Sequence, residues 1–408
     1  MKRLQAFKYE LMPDGEQQRD MRRFAGSCRF VYNKALSIQK MNYETGNQYI
    51  NYVSMAKQLT HWRNAVDTLW LKNAPYHPLQ HALKDLEKAY KNFFAKRTDF
   101  PRFKRKGNGD SFRYPDPKQI KLDTANNRIS LPKLGWIRYR NSREIVGEVR
   151  NVTVSCNSRK WFVSIQTQRE IEQPLPIATS AIGIDVGIVR FATLSDTTFI
   201  EPLNSFKKHQ QRLARYQRRM SHKQKFSNNW KKAKYKVQQI HSSIANARKD
   251  FLHKTTTTIS KNHALVCLED LQVRNMSKSS KGNGEQHGKM VKQKSGLNRS
   301  ILDQGWGEFR RQLDYKMKWS GGMLLAVSPH NTSRSCPRCR CISKDNRKTQ
   351  AQFLCVDCGY ENNADVVGAI NVLERGYRLL ACGESAQLGH SMKQEPTEVS
   401  QLVFSRTP

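Results

Sequence analysis

Acidic residues are scarce in this sequence, and long apolar runs are absent from it. Its 408 residues include 34 Asp and Glu against 71 Lys and Arg, which gives a formal net charge of +37. Such an excess of cations neutralises phosphates and releases counterions, so the composition indicates a nucleic acid as partner. A membrane is not expected as a partner, because a spanning helix needs about 20 predominantly apolar residues. The basic residues 1–8 are not followed by the apolar segment of a secretory signal.

Cysteine is too sparse for a disulfide framework, and four of the nine cysteines form two C-x-x-C pairs. Cys336 and Cys339 form the first pair, and Cys355 and Cys358 form the second after 15 intervening residues. This spacing predicts a structural Zn²⁺ site, in which four thiolates close a tetrahedron and leave no open position. The alternative is four unrelated free cysteines, and Cys341 is expected to be a spare thiol. Reduced cysteines indicate a cytoplasmic location.

Three acidic residues stand at the ends of apolar segments that are far apart in the sequence. Asp185 follows a buried-strand pattern at residues 181–184, and Glu269 follows another at residues 264–268. Asp365 opens an apolar pattern with helical spacing, where the helix dipole would stabilise its charge. Taken singly, each acid could be an ordinary cap or turn residue. If the three converge, their oxygens are suited to Mg²⁺ or Mn²⁺ and to phosphodiester hydrolysis.

Hydrophobic patterns divide the first half of the chain into a β-rich and a helical part. Alternating residues at 7–11 and short β-rich segments between 120 and 167 indicate one β domain, formed by residues 1–13 and 99–172. Apolar residues at helical spacing predict a helical lobe at residues 14–98, inserted between the two parts of the β domain. In the second half, we predict an α/β domain at 178–330 and 363–376, a metal ribbon at 331–362 and a disordered tail at 377–408.

Two segments concentrate positive charge. From Lys207 to Lys261 there are sixteen Lys and Arg residues and a single acid, which predicts a helical surface that follows phosphates. Near residue 100, two phenylalanines alternate with basic residues. The alternative for the first segment is an ordinary solvated helix face, and the alternative for the second is a solvated basic linker. The candidate nucleic-acid contacts are Lys207, Lys208, Arg212 and Arg215 in the first segment, and Arg102 and Lys104 in the second.

These motifs together resemble the TnpB (OrfB) proteins of bacterial insertion sequences. Residues 183–187, 268–271 and 364–371 resemble the three motifs of a RuvC-type nuclease domain. The cysteine ribbon also resembles this family, and so do residues 27–33, 100–104 and 305–313. The resemblance covers about residues 1–376. Arg340 stands where the family usually has glycine and Val367 where it has asparagine, and neither departure removes a ligand or an acid.

The resemblance implies a multidomain α+β fold. It comprises a wedge β-barrel with an inserted helical recognition lobe, and an RNase H-like (RuvC) α/β nuclease domain with an inserted four-cysteine zinc ribbon. The implied activity is RNA-guided cleavage of DNA, with Mg²⁺ or Mn²⁺ held by Asp185, Glu269 and Asp365. The implied partners are a guide RNA from the mobile element, target double-stranded DNA and the cognate transposase.

Two residues of the helical lobe match positions where the family reads a short duplex motif. Gln80 could form a bidentate pair with adenine in the major groove. Tyr52 is the other, and ordinary packing is its alternative role.

Two further functions stay open on the sequence. One is a regulator of transposition that binds nucleic acid without cutting it, which the presence of all three acids argues against. The other is an unguided RuvC-like nuclease. The helical lobe and the β domain argue against that function, because strand cleavage alone does not need them.

Overall fold

The structure is a computed structural model that describes residues 1–176, 178–282, 287–349 and 351–381. The chain forms two compact units. The first contains Met1–Glu172 and Tyr216–Ser242, and the second contains Gln173–Arg215 and the described residues from Ser243 onward. The strands are β1 Lys2–Met12, β2 Ser111–Tyr114, β3 Lys121–Asp123, β4 Arg128–Leu131, β5 Gly135–Tyr139, β6 Glu148–Asn157, β7 Lys160–Glu170, β8 Ala181–Val186, β9 Ala192–Leu194, β10 Phe199–Ile200, β11 Leu265–Glu269, β12 Met323–Val327, β13 Gln352–Leu354 and β14 Glu361–Asn363. The α-helices are α1 Gly15–Glu44, α2 Tyr52–Asn64, α3 Tyr76–Phe94, α4 Ser205–Ser221, α5 Asn228–Asn262, α6 Val273–Met276, α7 Val291–Gln304, α8 Trp306–Trp319 and α9 Ala364–Ala381.

In the first unit, β1 lies inside a seven-stranded antiparallel sheet of order β2-β6-β7-β1-β5-β4-β3. Phe7, Tyr9 and Leu11 are buried in alternation, as expected for a strand with one face on a core. Strand β1 pairs with β7 from Lys2 opposite Glu170 onward. The N-terminal strand therefore belongs to the same sheet as the strands that follow the helices, as the sequence pattern indicates.

Helices α1 and α3 of the first unit pack on this sheet. Helix α1 begins at a capping box, in which the Asp14 carboxylate accepts from the Gln17 amide at 2.8 Å and the Gln17 side chain accepts from the Asp14 amide. The rings of Phe24 in α1 and Phe112 in β2 meet edge to face, with centroids 5.8 Å apart. One hydrophobic core includes residues of α1, α3 and the sheet. The predicted helical lobe and β domain therefore share a core instead of folding around separate ones.

The second unit is built on a mixed five-stranded sheet of order β10-β9-β8-β11-β12. Strands β8, β11 and β12 are parallel, and β9 runs antiparallel to β8. Strands β8 and β11 are apolar up to their acidic residues, because consecutive residues on both of their faces are buried. Strands β13 and β14 form a separate hairpin after the first cysteine pair. The second cysteine pair lies in the loop between these two strands.

The basic segment forms two helices, and part of it clusters with the first unit. Residues 216–242 cluster with the first unit, whereas the sequence predicts that residues 178–330 belong to the nuclease domain. Ser158, in the turn between β6 and β7, bonds to the Ser242 hydroxyl at 2.7 Å, and Arg159 lies over the Tyr235 ring at 4.6 Å. These long-range contacts leave no trace in the local sequence pattern.

The predicted tail boundary also needs correction. Helix α9 continues to Ala381, past the predicted end of order at residue 376. Leu379 explains the difference, because it packs against the buried cluster that contains Cys267 and Leu325. The remainder of the predicted tail lies outside the described residues.

Candidate active site and metal centre

The second unit brings Asp185 and Glu269 to the same edge of its sheet. Asp185 lies near the end of β8 and Glu269 ends β11. The two strands are parallel neighbours, with Ile184 opposite Leu268. Because parallel strands end at the same edge, the two acids leave the sheet side by side.

Helix α9 adds Asp365, its second residue, to these two acids. Two glycines allow the helix to lie directly against β8. A Cβ atom at Gly183 would overlap the carbonyl oxygen of Ala369, and one at Gly368 would lie 2.9 Å from the Asp185 carboxylate oxygen Oδ2. The third motif therefore meets the first by close backbone packing.

The carboxylates interact electrostatically. Burial raises the pKa of Asp185 to about 8, and the nearby charges of Glu269 and Asp365 add to this effect. Burial also raises the pKa of Glu269, while a hydrogen bond from Thr332 lowers it in part. Without a cation the site thus favours a protonated Asp185. A bound cation would replace that proton.

Three residues around the acids were missed by the sequence analysis. The Thr332 hydroxyl donates to Glu269 Oε1 at 2.6 Å in a buried contact. The Arg347 guanidinium lies 3.4 Å from Asp365 Oδ1. Arg375 lowers the pKa of Glu269 by its charge. Thr332 precedes Cys336 and Arg347 follows Cys339 in the sequence. Their proximity to the first cysteine pair is the only sequence signal that marks them.

Asn371, in the third motif, ties the start of the ribbon to α9. Its side-chain amide donates to the carbonyl oxygens of Thr332 at 2.7 Å and Ser335 at 2.8 Å. Asp270, the acid next to Glu269, is instead paired with Arg310 of α8. Glu269 is therefore the acid that faces the site.

The four predicted cysteines come together in the ribbon. The Sγ atoms of Cys336 and Cys358 are 3.6 Å apart and those of Cys339 and Cys355 are 3.5 Å apart. All four Sγ atoms lie within 4.8 Å of one another. A tetrahedral Zn²⁺ with bonds of about 2.3 Å separates its sulfur ligands by about 3.8 Å, so the cluster fits one ion. Cys341 lies outside this group, as expected.

Among the described residues, the cysteine cluster is the only group of three or more potential ligands arranged for a single ion. The three acids do not form such a group.

Arg340 has the backbone conformation that its position demands. Its φ angle is 63°, in the left-handed region that favours glycine, and Gly359 has a φ of 69° at the same place after the second cysteine pair. The guanidinium of Arg340 lies 3.5 Å from Glu374. Arg340 therefore adopts the same left-handed backbone conformation as Gly359 at the corresponding position of the second cysteine pair.

The candidate nucleic-acid contacts of the helical lobe differ in their surroundings. Tyr52 begins α2, and the ammonium group of Lys84 lies 5.3 Å from the centroid of the Tyr52 ring. Lys84 follows Gln80 by one turn on α3. The Arg102 side chain is 85% exposed. Lys104 instead lies over the Tyr32 ring and pairs with a carboxylate of α3. Lys104 therefore makes contacts within its own unit, and the contact of Arg102 and Lys104 with nucleic acid stays a prediction.

The first turns of α4 present Lys207, Lys208, Arg212 and Arg215 on an exposed face. Asp303 of α7 anchors the start of this helix by accepting from the Phe206 amide at 2.9 Å, and it also pairs with Arg248 of α5. The exposed cations are thus carried by a helix that is fixed at its N-terminus. Their contact with nucleic acid stays a prediction.

No helix in the described ranges is long and apolar enough to cross a membrane.

Family models match three parts of the chain. A helix-turn-helix domain matches residues 1–48, the probable transposase family OrfB_IS605 matches residues 162–280, and the TNB domain of Cas12f1-like proteins matches residues 306–372. In the structure, the first of these regions is a strand followed by the single long helix α1. The third contains the cysteine ribbon and Asp365.

The whole chain is similar to proteins from two bacteria. It is 58% identical over 403 residues to the Escherichia coli K12 protein named RNA-guided DNA endonuclease InsQ, covering 99% of this chain and 100% of that one. It is 35% identical over 405 residues to a Streptomyces pristinaespiralis protein named as an RNA-guided DNA endonuclease, covering 96% of each. The chain therefore belongs to the TnpB (OrfB) family.

A solved structure shares the fold. A Cas12f1 protein in complex with guide RNA and target DNA aligns with a TM-score of 0.52, covering 91% of this chain and 98% of that chain, at 12% identity. At this identity the likeness establishes a Cas12-like mixed α/β fold and nothing beyond the fold.

Proposed function

We propose that this protein is an RNA-guided, metal-dependent DNA endonuclease encoded by a transposable element. The observation that carries the proposal is the convergence of Asp185, Glu269 and Asp365. The full-length similarity to a relative named RNA-guided DNA endonuclease supports it. The five-stranded sheet that carries two of the acids would be the RuvC-type nuclease core, and the seven-stranded sheet would be the wedge domain.

The three acids would hold Mg²⁺ or Mn²⁺, since their oxygens are the ligands that these cations prefer. The bound ions would supply an activated water and stabilise the leaving oxygen of the phosphodiester. Thr332 would keep Glu269 in a fixed orientation, and Asp185 must lose its proton before it can bind a cation. The cysteine ribbon would hold a structural Zn²⁺.

Binding of a guide RNA and its target DNA would explain the large positive charge of the protein. Base pairing with a guide RNA would read the target sequence, while the protein holds the heteroduplex by its backbone and reads only a short flanking motif. We assign that reading to Gln80 and Tyr52 in the helical lobe. The guide would come from the same mobile element, the site of action would be the bacterial cytoplasm, and the cognate transposase would be a further partner.

Cleavage of a plasmid target with cognate, scrambled and no RNA tests the proposal. We expect cleavage in Mg²⁺ with cognate RNA only. Asp185→Ala, Glu269→Ala and Asp365→Ala should abolish it while RNA binding is kept. Equal cleavage with all three RNA conditions would indicate an unguided nuclease. If no cleavage occurred under any of the three RNA conditions, whichever metal ion was supplied, the protein would instead be a regulator of transposition.

The reading of the flanking motif has its own test. Gln80→Ala should relax the choice of motif in a randomised-flank library, because a bidentate contact to one base is lost. Cleavage of an already unpaired target should be unaffected. An unchanged motif profile would contradict the role of Gln80.

A further inference from the structure

Aromatic rings at the end of α3 form a cluster that reaches the protein surface. Buried Tyr90 lies beneath it, with ring centroids 5.4 Å from Tyr49, 6.0 Å from Phe94 and 5.6 Å from Phe100. These three rings are 43%, 63% and 39% exposed, and nearby Phe103 is 47% exposed. We call Tyr49, Phe94, Phe100 and Phe103 the aromatic platform.

Cations surround the aromatic platform. The Lys40 ammonium lies 6.0 Å from the ring centroid of Phe100 and 5.6 Å from that of Phe103. Residues 88–106 contain eight Lys and Arg and one acid, Asp99. Exposed rings among cations complement bases and phosphates, because every base offers a π face and every phosphate a negative charge. This charge makes an apolar protein surface a poor match for the platform.

The segment that carries Phe100 and Phe103 is held in place by the protein itself. The Asn33 side chain donates to the Lys104 carbonyl at 2.9 Å and accepts from the Lys104 amide at 2.8 Å. The Lys104 ammonium lies 4.2 Å from the centroid of the Tyr32 ring. A preformed surface loses little conformational freedom on binding, so its rings can bind a ligand efficiently.

Helix α3 relates the platform to the proposed motif reader. Gln80 and Phe94 lie on the same helix and are 14 residues apart (94 minus 80). This is about 21 Å along the axis, at about 1.5 Å per residue. About six base steps of 3.4 Å span the same distance. DNA bound at Gln80 and running along α3 would therefore reach the platform just beyond a short flanking motif.

We propose that the aromatic platform stacks unpaired bases of the target DNA, where the duplex opens beside the flanking motif. The proposal rests on the proposed function, because strand opening by a guide is what supplies unpaired DNA. Stacked rings would stabilise the first opened bases and so favour the start of heteroduplex formation.

Binding of a fluorescent oligo(dT) to the full-length protein tests the platform without requiring cleavage. Phe94→Leu keeps an apolar side chain but removes the π face, and it should weaken binding by at least about five-fold, equivalent to about 1 kcal/mol. Phe94→Trp should bind at least as tightly as the parent. Equal affinity of the parent and Phe94→Leu would overturn the proposal.

Trp136→Leu is the matched control, because Trp136 is 44% exposed in β5 and the Arg128 guanidinium lies 5.4 Å from its ring. Its oligo(dT) affinity should equal that of the parent, and an equal loss in both Leu variants would reduce the effect to general hydrophobicity and overturn the assignment.

Two further arms separate DNA from RNA and the platform from the proposed function. Phe94→Leu should purify from cells with as much bound RNA as the parent, and a loss of RNA would assign the platform to the guide. With guide RNA, the variant should cut an intact duplex several-fold more slowly, and the loss should be smaller on a pre-opened target, which needs no stabilisation of newly opened bases. Equal slowing on both targets would overturn the proposal. A parent that cuts neither target would contradict the proposed function, while the oligo(dT) result would still decide whether the rings stack on bases.

Discussion

At the scale of single residues, Asp185 shows how strongly the fold changes the chemistry of a side chain. Its pKa is raised to about 8, whereas an exposed Asp titrates near pH 4. Between these values the metal-free folded protein keeps a proton that the unfolded chain has released. The stability of the metal-free protein therefore falls as pH rises from about 4 to 8. Asp185→Asn cannot titrate, so its melting temperature in EDTA should fall less than that of the parent over this range.

Asp270→Asn serves as the comparison for this measurement, because Asp270 is paired with Arg310 and has no place in the site. Its melting temperature should follow the parental dependence on pH. Superimposable curves for Asp185→Asn and the parent would show that Asp185 titrates normally.

Thr332 is expected to act through Glu269. Thr332→Val removes the hydroxyl that donates to Glu269 Oε1 but keeps the shape of the side chain. Loss of such a supporting bond typically costs about 10–100-fold in metal affinity or activity. The Mg²⁺ concentration for half-maximal cleavage should rise accordingly, and Thr332→Ser should restore it. If the Val and Ser variants had the same Mg²⁺ requirement, the hydroxyl would have no positioning role.

At the scale of elements, the packing of α9 on β8 determines whether the acids meet. A Cβ at Gly183 would overlap Ala369 and lie 2.8 Å from Leu373 Cβ. Gly183→Ala should therefore separate helix and strand, destabilise the protein by about 1–3 kcal/mol and reduce cleavage. Gly307→Ala in α8 is the matched control, since its added Cβ has no atom within 4 Å apart from its chain neighbours and the backbone of its own helix. Melting temperatures and cleavage rates of the two variants should differ clearly, and equal values would contradict this packing.

The cysteine ribbon is expected to need its metal in order to fold. A segment of about thirty residues buries too little apolar surface to fold alone. Elemental analysis should find close to one zinc per chain, and Cys336→Ser or Cys358→Ser should lower this content and the cleavage rate. Cys341→Ser should retain its zinc, because Cys341 lies outside the four-sulfur cluster. Equal zinc loss in the Cys341 and Cys336 variants would refute this ligand set.

At the scale of the whole molecule, the net charge of +37 should dominate the association with RNA. The logarithm of the binding constant should fall linearly with the logarithm of salt concentration, by about 0.7 per neutralised phosphate of a single strand. Combined Lys207→Ala, Lys208→Ala and Arg212→Ala substitutions should make this slope shallower by about 2. Lys318→Ala is the control, since Lys318 pairs with Asp314 at 2.9 Å. Unchanged slopes in the triple variant would remove α4 from the RNA surface.

Local sequence patterns were sufficient to locate the features that depend on neighbouring residues. Short apolar runs located the strands that carry Asp185 and Glu269, because a strand that is buried on both faces is apolar along its length. The two C-x-x-C pairs specified the metal cluster, because each tight turn brings two thiolates together. These inferences needed no knowledge of distant contacts.

Which distant residues contact each other depends on the folded structure. It placed Thr332 on Glu269 and Arg347 beside Asp365. It also joined residues 216–242 to the first unit and merged the helical lobe and the β domain around one core. Each of these contacts joins segments separated by many residues, and their side chains follow no local period. Local patterns therefore located the acids, while long-range packing set the environment that raises the pKa of Asp185.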